Sequence, residues 1–256
     1  MKMVSVAEVM TRNPVAVKPD DLVTHARSVF RKYGFRALPV VEGGRLVGMI
    51  SRGDVMLVTS TKANLSVRGV MSSNVTSAKP ADSLDDTAKV LVKLDLRQLP
   101  VVDAGVVVGI VSARDILQNF LESRQPSSAK VAEIMTQNVV SCSPEDDLSS
   151  LWSKMRVHGF GGLPVVEKKA VKGMITRMDV IRHSSTLIGK ESGKPKSIKV
   201  RKVMNSPAIT VRPGDKVSKA ANILVEKKII RLPVVDDKKK LLGIIDIDDV
   251  IKAYMS

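Results

Sequence analysis

The chain has 256 residues, is 44% hydrophobic and only 3% aromatic, and carries a formal net charge of +15 at pH 7. That length predicts one or two domains with aliphatic cores, and a single cysteine, Cys142, excludes an intrachain disulfide. No run approaches the ~20 apolar residues of a membrane span, and no secretory signal is visible at the start, so we expect a cytoplasmic protein. The positive charge favours anionic partners such as nucleotides or nucleic acid.

Four copies of one pattern follow each other along the chain. Each copy has a methionine, a proline nine residues later, and a second proline twenty residues after the first. The methionines are Met10, Met71, Met135 and Met204, and the second prolines are Pro39, Pro100, Pro164 and Pro233. Because such offsets indicate internal repeats, we divide the chain into repeats at 1–60, 61–124, 125–188 and 189–256.

The first copy shows the predicted elements of a repeat in chain order. A short strand precedes an apolar helical face that runs from Val23 to Tyr33 and ends at Gly34. Two strands joined by the turn Gly43–Gly44 come next, and a second helix begins at Ser51. Aspartates two residues past the first proline are predicted to cap the first helix of each repeat; they are Asp21, Asp82, Asp146 and Asp215. A unit of about sixty residues is too small to be stable alone, so we expect the repeats to pair.

The second helix of each repeat begins at a polar corner, which has the pattern Ser/Thr-x-x-Asp in the first three repeats. Free backbone N–H groups at a helix start suit a phosphate, and one carboxylate can accept both hydroxyls of a ribose. This pattern therefore predicts a nucleotide-binding corner. The same residues also resemble a capping box, which would explain them without a ligand.

Three motifs resemble the cystathionine-beta-synthase (CBS) domain in four copies that cover nearly the whole chain. They are Val-Met-Thr at the start (Val9–Thr11), Leu-Pro-Val-Val in the middle, and Gly-x-x-Ser/Thr-x-x-Asp at the end. The resemblance implies an α+β fold in which repeats 1 and 2, and repeats 3 and 4, associate through their sheets as two Bateman modules that form a flat disc. A chain of four such repeats is similar to the gamma subunit of AMP-activated protein kinase and to archaeal four-CBS proteins.

The resemblance also implies roles for individual residues. The ribose-binding acids would be Asp54, Asp115, Asp179 and Asp249, and the phosphate-binding hydroxyls would be Ser51, Ser112 and Thr176. Repeat 4 departs from the pattern, because Asp246 replaces the hydroxyl and its charge repels phosphate. Arginines before the Leu-Pro steps could reach a neighbouring cleft or be solvated surface charge; they are Arg36, Arg97 and Arg231. Adenine would lie near the apolar positions Val15, Val75, Val139 and Ala208.

We therefore interpret the chain as a non-catalytic sensor that binds AMP, ADP or ATP and signals to a separate effector protein. S-adenosylmethionine and NAD are alternative ligands. No catalytic set or metal-ligand spacing is present in the sequence, and a homodimer is compatible with it. The competing hypothesis is a nucleic-acid-binding protein that uses the basic segments Lys190–Lys202 and Lys238–Lys240. The scarcity of aromatic side chains for base stacking argues against that alternative.

Overall fold

The computed structural model describes residues 3–58, 64–183 and 198–256. Repeat 1 contains α1 (Val6–Val9), β1 (Thr11–Arg12), α2 (Val23–Tyr33), β2 (Ala37–Glu42), β3 (Arg45–Ser51) and α3 (Arg52–Leu57). Repeat 2 contains a 3₁₀ turn (Val67–Gly69), α4 (Leu84–Lys93), β4 (Gln98–Asp103), β5 (Val106–Ser112) and α5 (Ala113–Ser123). Repeat 3 contains α6 (Val131–Ile134), α7 (Leu148–Val157), β6 (Gly162–Glu167), β7 (Ala170–Thr176) and α8 (Arg177–Arg182). Repeat 4 contains a 3₁₀ turn (Val200–Lys202), α9 (Val217–Glu226), β8 (Arg231–Val235), β9 (Leu241–Asp246) and α10 (Ile247–Met255).

The order of helix, two strands and helix predicted for each repeat is confirmed. Of the short strands predicted before the first helices, repeat 1 has β1, and the described residues of the other repeats have isolated bridges instead, such as that of Ala78 with Val101. Strands β2 and β3 are antiparallel, and Gly43 and Gly44 join them with φ values of 56° and 81° that glycine adopts readily. Gly34 ends α2 in a left-handed conformation, as predicted. The basic segment Lys190–Lys202 lies mostly outside the described residues.

The aspartates predicted to cap the first helices have a different role. The carboxylate of Asp21 accepts the backbone N–H of Lys18 at 2.7 Å and so closes the turn before α2, whereas the N-cap of α2 is Leu22. The three equivalent aspartates bind the residue three places earlier in the same way; they are Asp82, Asp146 and Asp215. The prediction was wrong because an aspartate can satisfy backbone N–H groups in a turn as well as at a cap.

Strand pairing joins repeat 1 to repeat 2. The short β1 pairs antiparallel with β5, β3 also meets β5, and the result is a five-stranded sheet. Repeats 3 and 4 are joined by isolated antiparallel bridges, for example between Thr136 and Ile244 and between Met174 and Asn205. The predicted pairing of repeat 1 with 2 and of repeat 3 with 4 is therefore confirmed.

The repeated methionines and glycines meet across these pairs. A Cβ atom at Gly48 of repeat 1 would lie 2.6 Å from Sδ of Met71 in repeat 2. At Gly173 of repeat 3 a Cβ atom would lie 2.6 Å from the Asn205 carbonyl oxygen of repeat 4. Only glycine permits this close approach. The methionine and the glycine that recur in every repeat are therefore explained by contacts between partner repeats and not by contacts within one repeat.

The helices join the two modules to each other. One apolar core is formed mainly by repeats 1 and 3, and includes Phe30 and Met155. The other is formed mainly by repeats 2 and 4, and includes Phe120 and Ile251. The first segment of each repeat adds a valine to the core of its partner repeat; these are Val6, Val67, Val131 and Val200. Helix α5 packs against α9 and α10, while α2 and α3 pack against α8. This arrangement brings loops from all four repeats to one central junction. No helix in the described ranges is long and apolar enough to cross a membrane.

Candidate functional site

A cavity of about 830 Å³ lies at the junction of the two modules. All four repeats line it through residues at or just before the start of β2, β4, β6 and β8, namely Phe35–Leu38, Arg97–Gln98, Gly161 and Lys227–Arg231. Two of the four corners line it with both their capping residue and their aspartate, those of Ser112 and Asp115 in repeat 2 and of Thr176 and Asp179 in repeat 3. Asp54 and Asp249 do not line it, and the repeat 1 corner contributes only Arg52. Diagonally opposite repeats thus share one cavity.

The corner of repeat 2 is built as a capping box at the start of α5. One carboxylate oxygen of Asp115 accepts the backbone N–H of Ser112 at 2.8 Å and the Ser112 hydroxyl at 2.7 Å. Within the described ranges, the second oxygen has no hydrogen-bond donor. Because β1 pairs with β5, the segment that follows it places Asn13 and Val15 in the same lining. This corner therefore combines a carboxylate with spare accepting capacity and an apolar wall.

The corner of repeat 3 repeats this geometry with one additional contact. One oxygen of Asp179 accepts the Thr176 hydroxyl at 2.6 Å and the Thr176 backbone N–H at 2.8 Å. The same oxygen accepts the side-chain amide of Asn205 from repeat 4 at 3.0 Å. The bridge between Met174 and Asn205 places Pro207 and Ala208 beside the corner. Of the four positions predicted to surround adenine, Val15 and Ala208 line the cavity, and Val75 and Val139 do not.

Arginines of other repeats lie against the remaining two corners. In repeat 1, Nη1 of Arg177 lies 3.2 Å from the position that a Cβ atom of Gly53 would take, next to Asp54. In repeat 4, Arg97 forms ion pairs with Asp248 and, at 3.1 Å, with Asp246. Arg97, predicted to help bind phosphate, is thus engaged by carboxylates of the protein.

The ion pair at the repeat 4 corner is largely buried, and this changes the pKa values of its members. Burial raises the pKa of Asp248 to about 6 despite the attraction of Arg97. Burial would lower the pKa of Arg97, but the carboxylates of Asp246 and Asp248 raise it. Burial also raises the pKa of Asp249, whose carboxylate accepts the Asp246 backbone N–H at 2.9 Å. The corner is therefore closed by charge pairing within the protein.

The centre of the cavity is strongly positive. Arg36 is half-buried, and its guanidinium group has no hydrogen bond or ion pair within the part of the chain that the structure describes. Burial, and then repulsion by Arg52, Arg114, Arg231 and Arg97, lowers the pKa of Arg36 to about 9. Burial also lowers the pKa of Arg231. An anion in this cavity would relieve the repulsion among these groups.

Arg231 fills the place where repeat 3 lacks an arginine. Its Nη1 donates to the Gly162 carbonyl at 3.0 Å, and it lies 3.4 Å from the position of a Cβ atom on Gly161. The Gly161–Gly162 pair, which departs from the arginine-bearing pattern of the first two repeats, leaves the space that this guanidinium occupies. The predicted role of Arg231 in binding a ligand stays a prediction.

The sequence interpretation missed three further arginines of the cavity: Arg52, Arg114 and Arg182. Arg52 donates to the carbonyls of Gly34 and Phe35, and Arg114 donates to the Lys228 carbonyl at 2.8 Å. A signal was available for the first two, because they occupy the variable positions inside the Ser-x-x-Asp motif. Their basic character there would have indicated charge beside the corner.

The single cysteine of the chain does not line the cavity. The thiol of Cys142 is buried in the core of repeats 1 and 3, and burial raises its pKa to about 12, so it is a poor nucleophile. Within the described ranges no group of three or more His, Cys, Asp or Glu side chains is placed to hold a metal ion. The cavity combines carboxylates, hydroxyls and guanidinium groups that suit a diol attached to an anion.

Comparisons with known proteins agree with the repeat pattern. The family model described as the CBS domain matches residues 6–60, 67–122, 131–186 and 200–256. Protein MJ1225 of Methanocaldococcus jannaschii is 27% identical over 94% of this chain and 95% of its own. The crystal structure of MJ1225 is described as that of a putative archaeal homologue of g-AMPK. It superimposes on this chain with a TM-score of 0.87 and 25% sequence identity, and the superposition covers 97% of this chain and 99% of MJ1225.

Two further relatives show how far the likeness extends. Protein MJ1404 of the same organism is 32% identical over 96% of this chain, which spans 61% of that protein. A conserved protein of Pyrococcus horikoshii has the same fold, with a TM-score of 0.69 and 24% identity over 98% of this chain and 100% of its own. The four-repeat fold of this chain is therefore also found in archaeal proteins.

Proposed function

The chain belongs to the CBS domain family, and we propose that it is a non-catalytic regulatory protein that binds adenosyl nucleotides in its central cavity. AMP, ADP and ATP are the preferred ligands, with S-adenosylmethionine and NAD as alternatives. The main support for the proposal is that two Ser/Thr-x-x-Asp corners line the same cavity as a set of arginines that have few acidic partners.

At the repeat 2 corner, Asp115 accepts the ribose hydroxyls through the carboxylate oxygen that the capping box leaves free. Ser112 and Arg114 lie on the phosphate side, and Val15 lies against the base. A carboxylate accepting neutral hydroxyls forms charge-assisted hydrogen bonds, which contribute more to affinity than neutral ones. Adjacent arginines offset the repulsion between the carboxylate and the phosphates.

At the repeat 3 corner, Asp179 and Thr176 have the same two roles, and Ala208 lies against the base. Asn205 holds the carboxylate in place from the partner repeat. Arg36 and Arg231, which approach from other repeats, bind phosphate in the middle of the cavity. The ligand at the repeat 3 corner would therefore contact both modules, since Arg36 belongs to the first module and Asp179 to the second.

We assign the other two corners no phosphorylated ligand. Asp249 and Asp246 carry like charges at a corner already paired with Arg97, and phosphate would be repelled there. Asp54 and Ser51 form a capping box beside Arg177. In these corners the aspartate stabilises the helix start.

The regulatory part of the proposal follows from the position of the cavity between modules. A ligand shifts a conformational equilibrium only if its affinities for the two states differ. A nucleotide that touches both modules meets this condition, because a change in their relative orientation changes its contacts. The similarity to MJ1225, proposed as a homologue of g-AMPK, supports output through a separate partner protein.

Isothermal titration calorimetry with AMP, ADP, ATP, S-adenosylmethionine and NAD tests the proposal directly. Asp115→Ala should weaken binding of the preferred nucleotide at its corner about ten- to a hundredfold, since a hydrogen bond to a charged group contributes ~1.5–3 kcal/mol. Asp249→Ala is the matched control, because it removes the same capping carboxylate from a corner outside the cavity. Unchanged affinity in Asp115→Ala and Asp179→Ala, or no binding of any of the five compounds to the wild-type chain, would refute the proposal.

The nucleic-acid hypothesis remains a prediction from charge alone. Most of its main segment, Lys190–Lys202, lies outside the described residues, and the second, Lys238–Lys240, is an exposed hairpin turn. Binding that falls steeply with salt concentration would support it. Absence of binding to DNA and RNA at low salt would remove it.

A further inference from the structure

The hairpin turns of repeats 3 and 4 lie side by side in the second module. The backbone N–H of Val171 donates to the Lys239 carbonyl at 2.9 Å, and the backbone N–H of Leu241 donates to the Lys169 carbonyl at 3.3 Å. These reciprocal hydrogen bonds hold the backbones of the two turns in one fixed arrangement. We call residues 167–172 and 236–240 the lysine turns.

The lysine turns carry a dense positive charge that the protein does not compensate. Of their three acidic residues, two are engaged elsewhere. Asp236 accepts the backbone N–H groups of Lys238 and Lys240 at 2.9 and 2.8 Å, and Asp237 pairs with Arg212 at 3.0 Å. Six lysines of the turns are exposed, and within the described residues no carboxylate lies at ion-pair distance from them; they are Lys168, Lys169, Lys172, Lys238, Lys239 and Lys240.

The first module has the same arrangement of turns without this charge. The backbone N–H of Val107 donates to the Gly44 carbonyl at 3.1 Å, and that of Leu46 donates to the Gly105 carbonyl at 3.4 Å. The two turns are therefore paired in the same way as in the second module. Their charged residues are Glu42, Arg45 and Asp103. Pairing of the hairpins does not require lysine, so the lysines of the second module need another explanation.

Three of these lysines have a backbone conformation that suits glycine better. The φ angles of Lys168, Lys169 and Lys239 are 48°, 68° and 61°, in the left-handed region that residues with a Cβ atom adopt at a cost. Repeat 1 has Gly43 and Gly44 at the positions of the first two. Because glycine would relieve the strain, stability of the turn does not explain the lysines. Strain of this kind is concentrated at functional sites, which indicates that the charge itself has a role.

We propose that the lysine turns bind an acidic segment of a partner protein, whose carboxylates pair with the free lysine side chains. This inference rests on the proposed regulatory function and specifies the chemistry of the partner. The fixed backbone of the two turns brings the charges together before the partner arrives, which lowers the cost of binding. Since no residue of the lysine turns lines the central cavity, the partner and a nucleotide can be bound at the same time.

The composition of the turns favours a protein over a nucleic acid. Surfaces that bind single strands add aromatic side chains on which bases stack. Surfaces that read duplex DNA add arginine, asparagine or glutamine side chains that contact base edges. The lysine turns contain none of these residues. Lysine ammonium groups act as flexible point charges, which suits the carboxylates of a peptide that has no fixed shape of its own.

Fluorescence anisotropy of a labelled octaglutamate peptide at low salt tests the surface on the whole chain. We expect octaglutamate to bind the wild type, and to bind the variant Lys168→Gly, Lys169→Gly about five- to tenfold more weakly, because two exposed ion pairs are lost. This variant copies the turn of repeat 1, so its melting temperature should not fall. The matched control is Lys79→Gln, Lys93→Gln, which removes two exposed lysines of repeat 2. The control lowers the net charge equally and should bind octaglutamate within about twofold of the wild type.

Three results would overturn the inference. The first is no binding of octaglutamate to the wild type. The second is equal weakening in the glycine variant and the control, which would show a response to net charge alone. The third is tighter binding of a short DNA duplex than of octaglutamate, lost in the glycine variant, which would make the surface one for nucleic acid.

Calorimetry with AMP separates this inference from the proposed function. The glycine variant should bind AMP as the wild type does, because the substitutions lie outside the cavity lining. If AMP binds and octaglutamate does not, the docking surface is wrong and the proposed nucleotide site stands. If octaglutamate binds and no adenosyl compound does, the docking surface stands and the proposed function fails.

Discussion

The guanidinium group of Arg97 in the second repeat is paired with the carboxylate of Asp248 in the fourth repeat, 151 residues further along the chain. The side chains are 18% and 8% exposed, so solvent screens the pair only weakly. Asp246 adds a second carboxylate at 3.1 Å from the same arginine. This contact closes the fourth corner and fastens the second module to the first.

Removing one member of the pair should leave a buried charge without its partner. We expect Arg97→Ala to lower the free energy of unfolding by about 3–5 kcal/mol. The double variant Arg97→Ala, Asp248→Ala should lose less than the sum of the two single variants, which urea unfolding of all four chains would measure. Arg156→Ala, at an exposed arginine of α7, is the control and should be nearly neutral. Additive losses would show that the two residues do not interact energetically.

The raised pKa of Asp248 predicts a stability that depends on pH. Its folded-state pKa of about 6 lies above the ordinary value of 3.8, so between these pH values the folded chain binds more protons than the unfolded chain. The contribution of Asp248 to stability is therefore greatest at acidic pH and falls as pH rises from about 4 to 6, by up to ~3 kcal/mol.

This pH dependence is measured as the difference between two chains. Urea unfolding of the wild type and of Asp248→Asn at several pH values should show the wild type losing stability relative to the variant across that window. The comparison cancels the titration of all other carboxylates that the substitution leaves unperturbed. A constant difference from pH 4 to pH 6 would contradict the raised pKa.

Removal of the unpaired charge of Arg36 should stabilise the ligand-free protein and weaken its binding of ATP. Arg36→Met keeps most of the side-chain volume and removes the repulsion among the arginines, so we expect a higher melting temperature without ligand. The same change should weaken ATP binding about ten- to a hundredfold and leave adenosine binding within about twofold. Arg156→Met, outside the cavity lining, should change neither property. A lower melting temperature of the free variant would show that Arg36 is paired in solution.

The close approach between partner repeats makes Gly173 sensitive to substitution. A Cβ atom there would lie 2.6 Å from the backbone carbonyl of Asn205 and 3.0 Å from Sδ of Met204. Because the backbone cannot yield as a flexible side chain does, Gly173→Ala should destabilise the chain by about 1–3 kcal/mol. Gly214→Ala is the matched control, since no heavy atom lies within 4 Å of its added methyl group. Urea unfolding should find the control neutral or slightly stabilised, and equal losses in both variants would refute the clash.

Much of the fold could be predicted because its signals are local. The apolar face of α2, the glycine turn at Gly43–Gly44 and the Ser-x-x-Asp corners each depend on residues within a few positions of one another. The aspartates predicted as helix caps show the limit of such signals, since Asp21 closes the turn before the helix instead. A side chain that satisfies a nearby N–H group has more than one local solution.

The sequence by itself determined the four repeats, the elements within each one and the family to which they belong. These features depend on repeated spacing and on hydrogen bonds between residues that are close in sequence. Only the tertiary structure decided that the corners of Asp115 and Asp179 share a cavity while Arg97 closes the corner of Asp246. Those outcomes depend on how helices of repeats 1 and 3, and of repeats 2 and 4, pack against each other. Contacts between residues more than a hundred positions apart leave no local pattern, so the packing of the modules selects which equivalent corners can accept a ligand.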